Sequence, residues 1–414
     1  MIIISALFCL PVLFLAYIVN IRTRYRFNPA SLMAYIWMLF LNIAILVGPR
    51  SGFYPVDIEV ILAVCIFLSI ILISFYFAFG KTTLIKESNE NEIDKDQLMR
   101  LSAFLLMFCV FSNIAYFAQV NRLIPITTLA NNLWAWKNYV LIGKINESGI
   151  MYIGRNLALI GAVLSINTYY NKTKTSKLLL LLYILLAFLN PRRDPIIIKM
   201  IYVIAPFLVL YKNKGKIFKL ILPLSIVFIA LFSVLTEQLT FGERTVSDTI
   251  GLYTYGSYNS LQKAIDNGYP SNTSLFLGNT FYFVYMILKY ISPSLTPPDI
   301  VLQSMGRDTT NVYTALIAPL IDANGNMFSF SLIVLLYGVY IGCVLAFFYK
   351  SYTKNKTKIS SLILYCACYS CVIRSFYNPS FSLSDFLFAL AYWGVAKIIE
   401  NSKVSKIRIV KRIE

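Results

Sequence analysis

Apolar runs recur along the chain near residues 2–19, 30–48, 58–79, 101–119, 150–169, 177–189, 195–211, 218–236, 328–349, 359–375 and 384–399. A helix needs about 20 mostly apolar residues to cross the hydrocarbon core of a bilayer. The pattern therefore predicts an all-α, polytopic transmembrane bundle of about eleven spans, with residues 1–414 forming one membrane domain. The sixth run is short, which leaves a tilted or re-entrant arrangement open for the helix pair around Asn190. Two stretches between runs are long: Val120 to Gly149, containing Trp134, Trp136 and Tyr139, and Glu237 to Met327. Loops above about 12–15 residues without structure of their own are usually functional. Within the larger loop, Leu275–Ile291 is apolar enough to imitate a twelfth span. We read it as a re-entrant or interfacial helix, because a span there would place Lys350, Lys354, Lys356 and Lys358 outside the cell interior.

Composition agrees with the pattern. Apolar residues make up 58% of the chain and charged residues 14%, against about 45–50% and 25% in soluble domains. The net charge of +18 invites a nucleic-acid reading until its distribution is followed. Loops on one side hold 24 of the 37 basic residues and only seven of the 19 acids, which leaves the other side almost neutral. That asymmetry is the positive-inside signal, so nucleic acid is not an expected partner. It predicts an N-terminus outside and a C-terminus in the cytoplasm, with both long loops outside. The first run has no basic residue ahead of it and Arg22, Arg24 and Arg26 behind it, the pattern of a retained anchor rather than a signal peptide.

Histidine is absent, so a general base would most naturally be a carboxylate. All seven cysteines fall in apolar runs, and Cys366, Cys368 and Cys371 read as small apolar helix residues rather than a metal site. No metal and no cofactor is expected. Arg155, Arg192, Arg193, Lys199 and Arg374 fall near the expected outer ends of helices, with Arg244 and Arg307 in the large loop. Each taken singly could snorkel to the interface. Together they favour an anionic ligand at headgroup depth, since the planar guanidinium binds phosphate bidentately. Arg192 and Lys199 are seven residues apart and share a face if their helix begins early enough. Tyr253, Tyr255 and Tyr258 border no clear span and suit a sugar surface, whereas Tyr282, Tyr285 and Tyr290 fit an aromatic belt equally well. Glu243 beside Arg244, and Asp308 beside Arg307, each set a candidate base next to a candidate phosphate ligand; simple ion pairing is the alternative for either pair.

Further along, Thr310-Asn311-Val312-Tyr313-Thr314 is followed by Asp322-Ala323-Asn324-Gly325 just ahead of the run at 328–349. Asn190-Pro191-Arg192-Arg193-Asp194 lies between two earlier runs. With the basic cytoplasmic loops and the late, large outer loop, these elements make the chain similar to the O-antigen polymerases, the Wzy-type oligosaccharide repeat-unit polymerases of the bacterial inner membrane. The chain departs from the family pattern by an extra residue between Asp322 and Gly325 and by the proline before Arg192. The resemblance implies transfer of a growing glycan from undecaprenyl pyrophosphate onto a new lipid-linked repeat unit, without nucleotide sugar or metal. It implies Arg192, Arg193, Arg244, Arg307, Asn311 and Tyr313 as substrate-binding candidates and Glu243 and Asp308 as candidate bases. The expected partners are the undecaprenyl-pyrophosphate-linked oligosaccharide and membrane lipids, with room for a chain-length regulator. Two other readings stay open. One is a ligase or another lipid-linked-sugar glycosyltransferase, for which Asp57-Ile58-Glu59 supplies an acidic pair but no histidine exists. The other is a polysaccharide flippase or transporter.

Overall fold

The computed structural model describes residues 2–23, 28–80, 95–141, 144–145, 149–190, 193–210, 251–267, 276–289, 291–295, 303–305, 308–310, 314–354, 358–381 and 384–410. The described residues are helical or in turns and connections apart from one two-stranded antiparallel hairpin, and the chain divides into two compact units. Six helical segments among the described residues are long and apolar enough to cross a membrane, and three further apolar helices are shorter. The expected run at 218–236 lies outside the described residues.

The first unit comprises Met1–Ser88 and Ile250–Glu414. It begins with α1 (Ile2–Thr23), α2 (Pro29–Val47) and α3 (Ile58–Phe79). Asn28 caps α2 by accepting from the Ser31 amide at 3.0 Å, and Pro29 supplies a first residue that needs no partner for its missing N–H. Leu7, Leu10, Phe14, Tyr17 and Ile21 leave one face of α1 exposed, as a lipid-facing stripe requires. Against α3 lies α13 (Met327–Lys354), separated from it in sequence by most of the chain. Small residues set this seam. A Cβ on Gly342 would stand 2.7 Å from the Ile71 carbonyl oxygen, and one on Gly338 would stand 2.8 Å from Ile70 Cγ2. Two glycines four apart let helix backbones approach closely, which is how helices associate where no water drives them together. Stacked rings of Phe67 and Tyr337 extend the seam. α14 (Ile359–Arg374) and α15 (Ser384–Val410) pack on one another and complete the unit's long helices.

The expected large loop is structured where it is described. A π-helical turn over Leu252–Gly256 runs into α10 (Ser257–Asn267), and a short α12 (Ile317–Asp322) precedes α13. The hairpin pairs β1 (Gln303–Met305) with β2 (Asp308–Thr310), with Met305 opposite Asp308. Among the described residues of the apolar stretch at 275–291, the one helix is α11 (Tyr282–Leu288), preceded by turns from Phe276 to Phe281. Seven residues rise about 10 Å, so α11 does not span.

The second unit, Asn89–Thr249, holds α4 (Lys95–Leu123), α5 (Leu133–Leu141), α6 (Gly149–Asn156), α7 (Leu159–Asn171), α8 (Lys174–Phe188) and α9 (Arg193–Leu210). The expected loop after Val120 is mostly helical: α4 runs on to Leu123, and a 3₁₀ turn over Ile126–Asn132 leads into α5. The run at 150–169, expected as one helix, breaks between α6 and α7 at Leu157 and Ala158. The freed Leu157 carbonyl accepts from the Ile160 amide at 3.2 Å and from the Tyr183 hydroxyl at 3.4 Å. Ser165 Oγ donates at 2.8 Å to the Val203 carbonyl, tying α7 to α9.

Candidate functional site: a buried arginine in each unit

In the second unit Arg155 lies in the last turn of α6 and is 2% exposed. Its guanidinium carbon lies 3.2 Å from the centroid of the Tyr116 ring on α4. Nε donates to Asn113 Oδ1 at 3.3 Å, and Nη2 donates to the Leu189 carbonyl, at the C-cap of α8, at 3.2 Å. Trp136 Nε1 donates to the Tyr116 hydroxyl at 2.7 Å, and both rings sit in an apolar cluster with Val120, Ile124, Leu129 and Ile145. Lys199 on α9 is 4% exposed, and both it and Arg155 lie within electrostatic reach of Cys109. Charged groups at such depth are costly and turn inward to protein partners or a cavity. Here the partners around Arg155 include an aromatic face and two neutral oxygens, so the cation is held without a carboxylate taking part in those bonds.

In the first unit Arg374 ends α14 and is 1% exposed. Its carbonyl accepts from the Tyr377 and Asn378 amides at 3.0 and 2.9 Å, turning the chain sharply after the helix. Ser375 gathers the surroundings: its hydroxyl accepts from Trp37 Nε1 at 2.8 Å, and its carbonyl accepts from the Ala315 amide at 2.9 Å. Tyr258 on α10 donates to the Trp37 carbonyl at 3.1 Å, and Tyr253 meets the Tyr377 ring edge-on at 5.5 Å. α2, the π-turn with α10, the segment at 314–315 and the end of α14 thus converge on one corner. Within α10 and this corner, Ser257 Oγ, Asn259 Oδ1, Thr314 Oγ1 and Asn378 Oδ1 are buried and make no hydrogen bond.

Two further arrangements frame this unit. Asp322 accepts the Asn279 amide at 3.0 Å and Asn279 Nδ2 at 2.8 Å on one oxygen, and the Thr280 amide at 2.7 Å on the other. The turn that follows uses left-handed backbone at Asn324 (φ 49°) and Gly325 (φ 76°), the residue types that tolerate it. At the other side of α10, Gln262 bridges the Asp57 amide (2.9 Å) and Asp266 (2.9 Å). Asp266 also accepts from Tyr54, and that hydrogen bond raises the Tyr54 phenol above its ordinary value.

The residues expected to bind pyrophosphate fare unevenly. Arg192, Glu243, Arg244, Arg307, Asn311 and Tyr313 lie outside the described residues. Arg193 is the first residue of α9 and Asp308 the first of β2, both described for the backbone alone. Arg155, Lys199 and Arg374 are buried rather than snorkelling. The cysteines at 366, 368 and 371 are buried in α14. Ser257, Asn378 and the Trp37–Ser375 contact had no counterpart in the sequence reading, because four separate stretches supply the corner. Isolated polar residues at the edges of apolar runs were the available signal. No family model, curated protein or solved structure matches the chain.

Proposed function

We propose that this chain is a polymerase of O-antigen or a related surface polysaccharide in the bacterial inner membrane. On this reading about eleven helices span, the N-terminus and the large loop face the periplasm, and the C-terminus is cytoplasmic. The observation that supports it most is the corner at Arg374. Thr314, the last residue of the Thr310–Thr314 element, stands beside Ala315, whose amide is bonded to Ser375 next to the buried arginine. That arrangement brings Thr314, the described end of the family-like element, to a corner that carries a buried cation and the Tyr253–Tyr377 ring pair, an aromatic surface of the kind that suits a sugar.

In the reaction the acceptor sugar's hydroxyl oxygen attacks the anomeric carbon of the growing glycan. The bond from that carbon to the pyrophosphate breaks, and undecaprenyl pyrophosphate leaves with the electron pair. Charge grows on the leaving group, so arginines already in place lower the barrier; Arg192, Arg193, Arg244 and Arg307 are the candidates. Glu243 or Asp308 takes the hydroxyl proton, and Asn311 and Tyr313 contact the sugars.

A transport reading draws on a different observation, the break of α6–α7 beside buried Arg155, since discontinuous helices and inward charges are common in transporters. One experiment separates the two. Purified chain in detergent, given lipid-linked repeat units without nucleotide sugar, lengthens the glycan if it is a polymerase. In cells, loss of a polymerase reduces the surface ladder to core plus one repeat. Absence of elongation, with loss of even the single-repeat band, establishes the flippase instead.

A further inference from the structure

The corner at Arg374 is polar in an unfinished way. Ser257 and Thr314 are fully buried, yet neither hydroxyl has a partner, and the buried amide oxygen of Asn378 has none either. Leaving a buried polar group unpaired costs about 1–3 kcal/mol, and such groups are few in native proteins. Here three fall in one neighbourhood. Thr314 adjoins Ala315, which bonds to Ser375; Asn378 follows in the turn after Arg374. Ser257 lies one helical turn beyond Tyr253, whose ring meets Tyr377. The π-turn at Leu252–Gly256 immediately precedes Ser257, and single π-turns within helices occur frequently at functional sites.

The donor and acceptor types point to the ligand. A hydroxyl both donates and accepts, and an amide oxygen only accepts. A phosphate oxygen offers Asn378 Oδ1 no hydrogen, whereas a sugar hydroxyl satisfies all three groups. The Tyr253–Tyr377 pair supplies an adjacent apolar surface.

We infer that Ser257, Thr314 and Asn378 form an uncharged subsite that binds the ring hydroxyls of a neutral sugar. It rests on the polymerase reading only in its last step, where that sugar is the terminal residue of the acceptor repeat unit.

The test uses full-length protein in lipid nanodiscs and a panel of neutral hexoses, 6-deoxyhexoses and N-acetylhexosamines, with binding read by saturation-transfer NMR. At least one sugar is expected to bind the wild type, and Ser257→Ala with Thr314→Val is expected to weaken it at least tenfold. Because the hydroxyls lack partners in the protein, the same substitutions should leave the melting temperature unchanged or raise it. A lower melting temperature with unchanged sugar binding would assign the hydroxyls to buried structural water and overturn the subsite. So would failure of every sugar to bind. If both stability and binding fall, Thr314→Ser decides: restored binding supports the subsite, and none overturns it. Elongation of lipid-linked repeat units is measured in parallel. Wild type that binds sugar but does not elongate refutes the polymerase and leaves the subsite standing; wild type that elongates, with variants that elongate and bind normally, refutes the subsite alone.

Discussion

Arg155 and Arg374 are both buried at helix ends, yet their neighbourhoods differ in kind. Around Arg155 the bonds run from group to group: guanidinium to Asn113 and Leu189, ring to ring, Trp136 to Tyr116. The corner at Arg374 has a firm frame in Trp37, Ser375 and Tyr258, but leaves Ser257, Thr314 and Asn378 without partners. A satisfied polar network rigidifies the protein that contains it, whereas an incomplete one has a cost in the resting state that a ligand can relieve. The first pattern belongs to architecture and the second to recognition.

The strongest challenge to this contrast is Arg155→Ala. Removing the guanidinium leaves Asn113 Oδ1 and the Leu189 carbonyl short of a donor and deletes the contact with Tyr116. Hydrogen bonds to charged groups contribute about 1.5–3 kcal/mol, and a desolvated cation–π contact about 2 kcal/mol. A loss of roughly 3 kcal/mol or more is expected in thermal unfolding of the detergent-solubilised protein. Unchanged stability would mean that Arg155 belongs with recognition after all. Gly342→Ala comes next: its methyl has no room against the Ile71 carbonyl, and overpacking of this kind costs about 1–3 kcal/mol. A melting temperature equal to wild type would show that the α3–α13 seam can yield.

Asp322→Asn sharpens the distinction within the first unit. The carboxylate accepts three N–H groups, and an amide presents N–H to at least one of them, at a cost of about 1–2 kcal/mol. Faster amide exchange at Asn279 and Thr280, with the rest of the unit unaffected, is the expected signature. The smallest effect concerns pH. Tyr54 has its phenol raised chiefly by the hydrogen bond to Asp266. A raised value means that the stabilising contribution is complete below the ordinary tyrosine range and disappears as pH climbs through the higher folded value. Tyr54→Phe should therefore slightly flatten the alkaline side of the stability profile, and an unchanged profile would remove this pair from the account.

Much of the helical frame was legible in the apolar runs, because α1 to α4 and α13 are long and uninterrupted. The break at Leu157 was not, since Leu157 and Ala158 are as apolar as their neighbours and hydropathy does not register where a backbone turns. The α10 segment was read as loop because its polar residues outnumber a membrane pattern's tolerance, although Tyr258, Leu261 and Ala264 line its buried side. At the site, the sequence singled out Arg155 and Arg374 as chemistry but offered no means of bringing Ala315 to Ser375. That contact is tertiary, and no local spacing encodes it.

The α3–α13 seam has a consequence for how the protein is made. Its two halves are separated in the chain by everything from Gly80 to Asn326, so α3 emerges from the ribosome long before its mate exists. At about 5–20 residues per second, the roughly 250 intervening residues take on the order of 10–50 s to synthesise. Throughout that interval the face of α3 that will meet Gly338 and Gly342 must be shielded by lipid, by earlier helices or by the insertion machinery, and closing of the seam is among the late events of biogenesis.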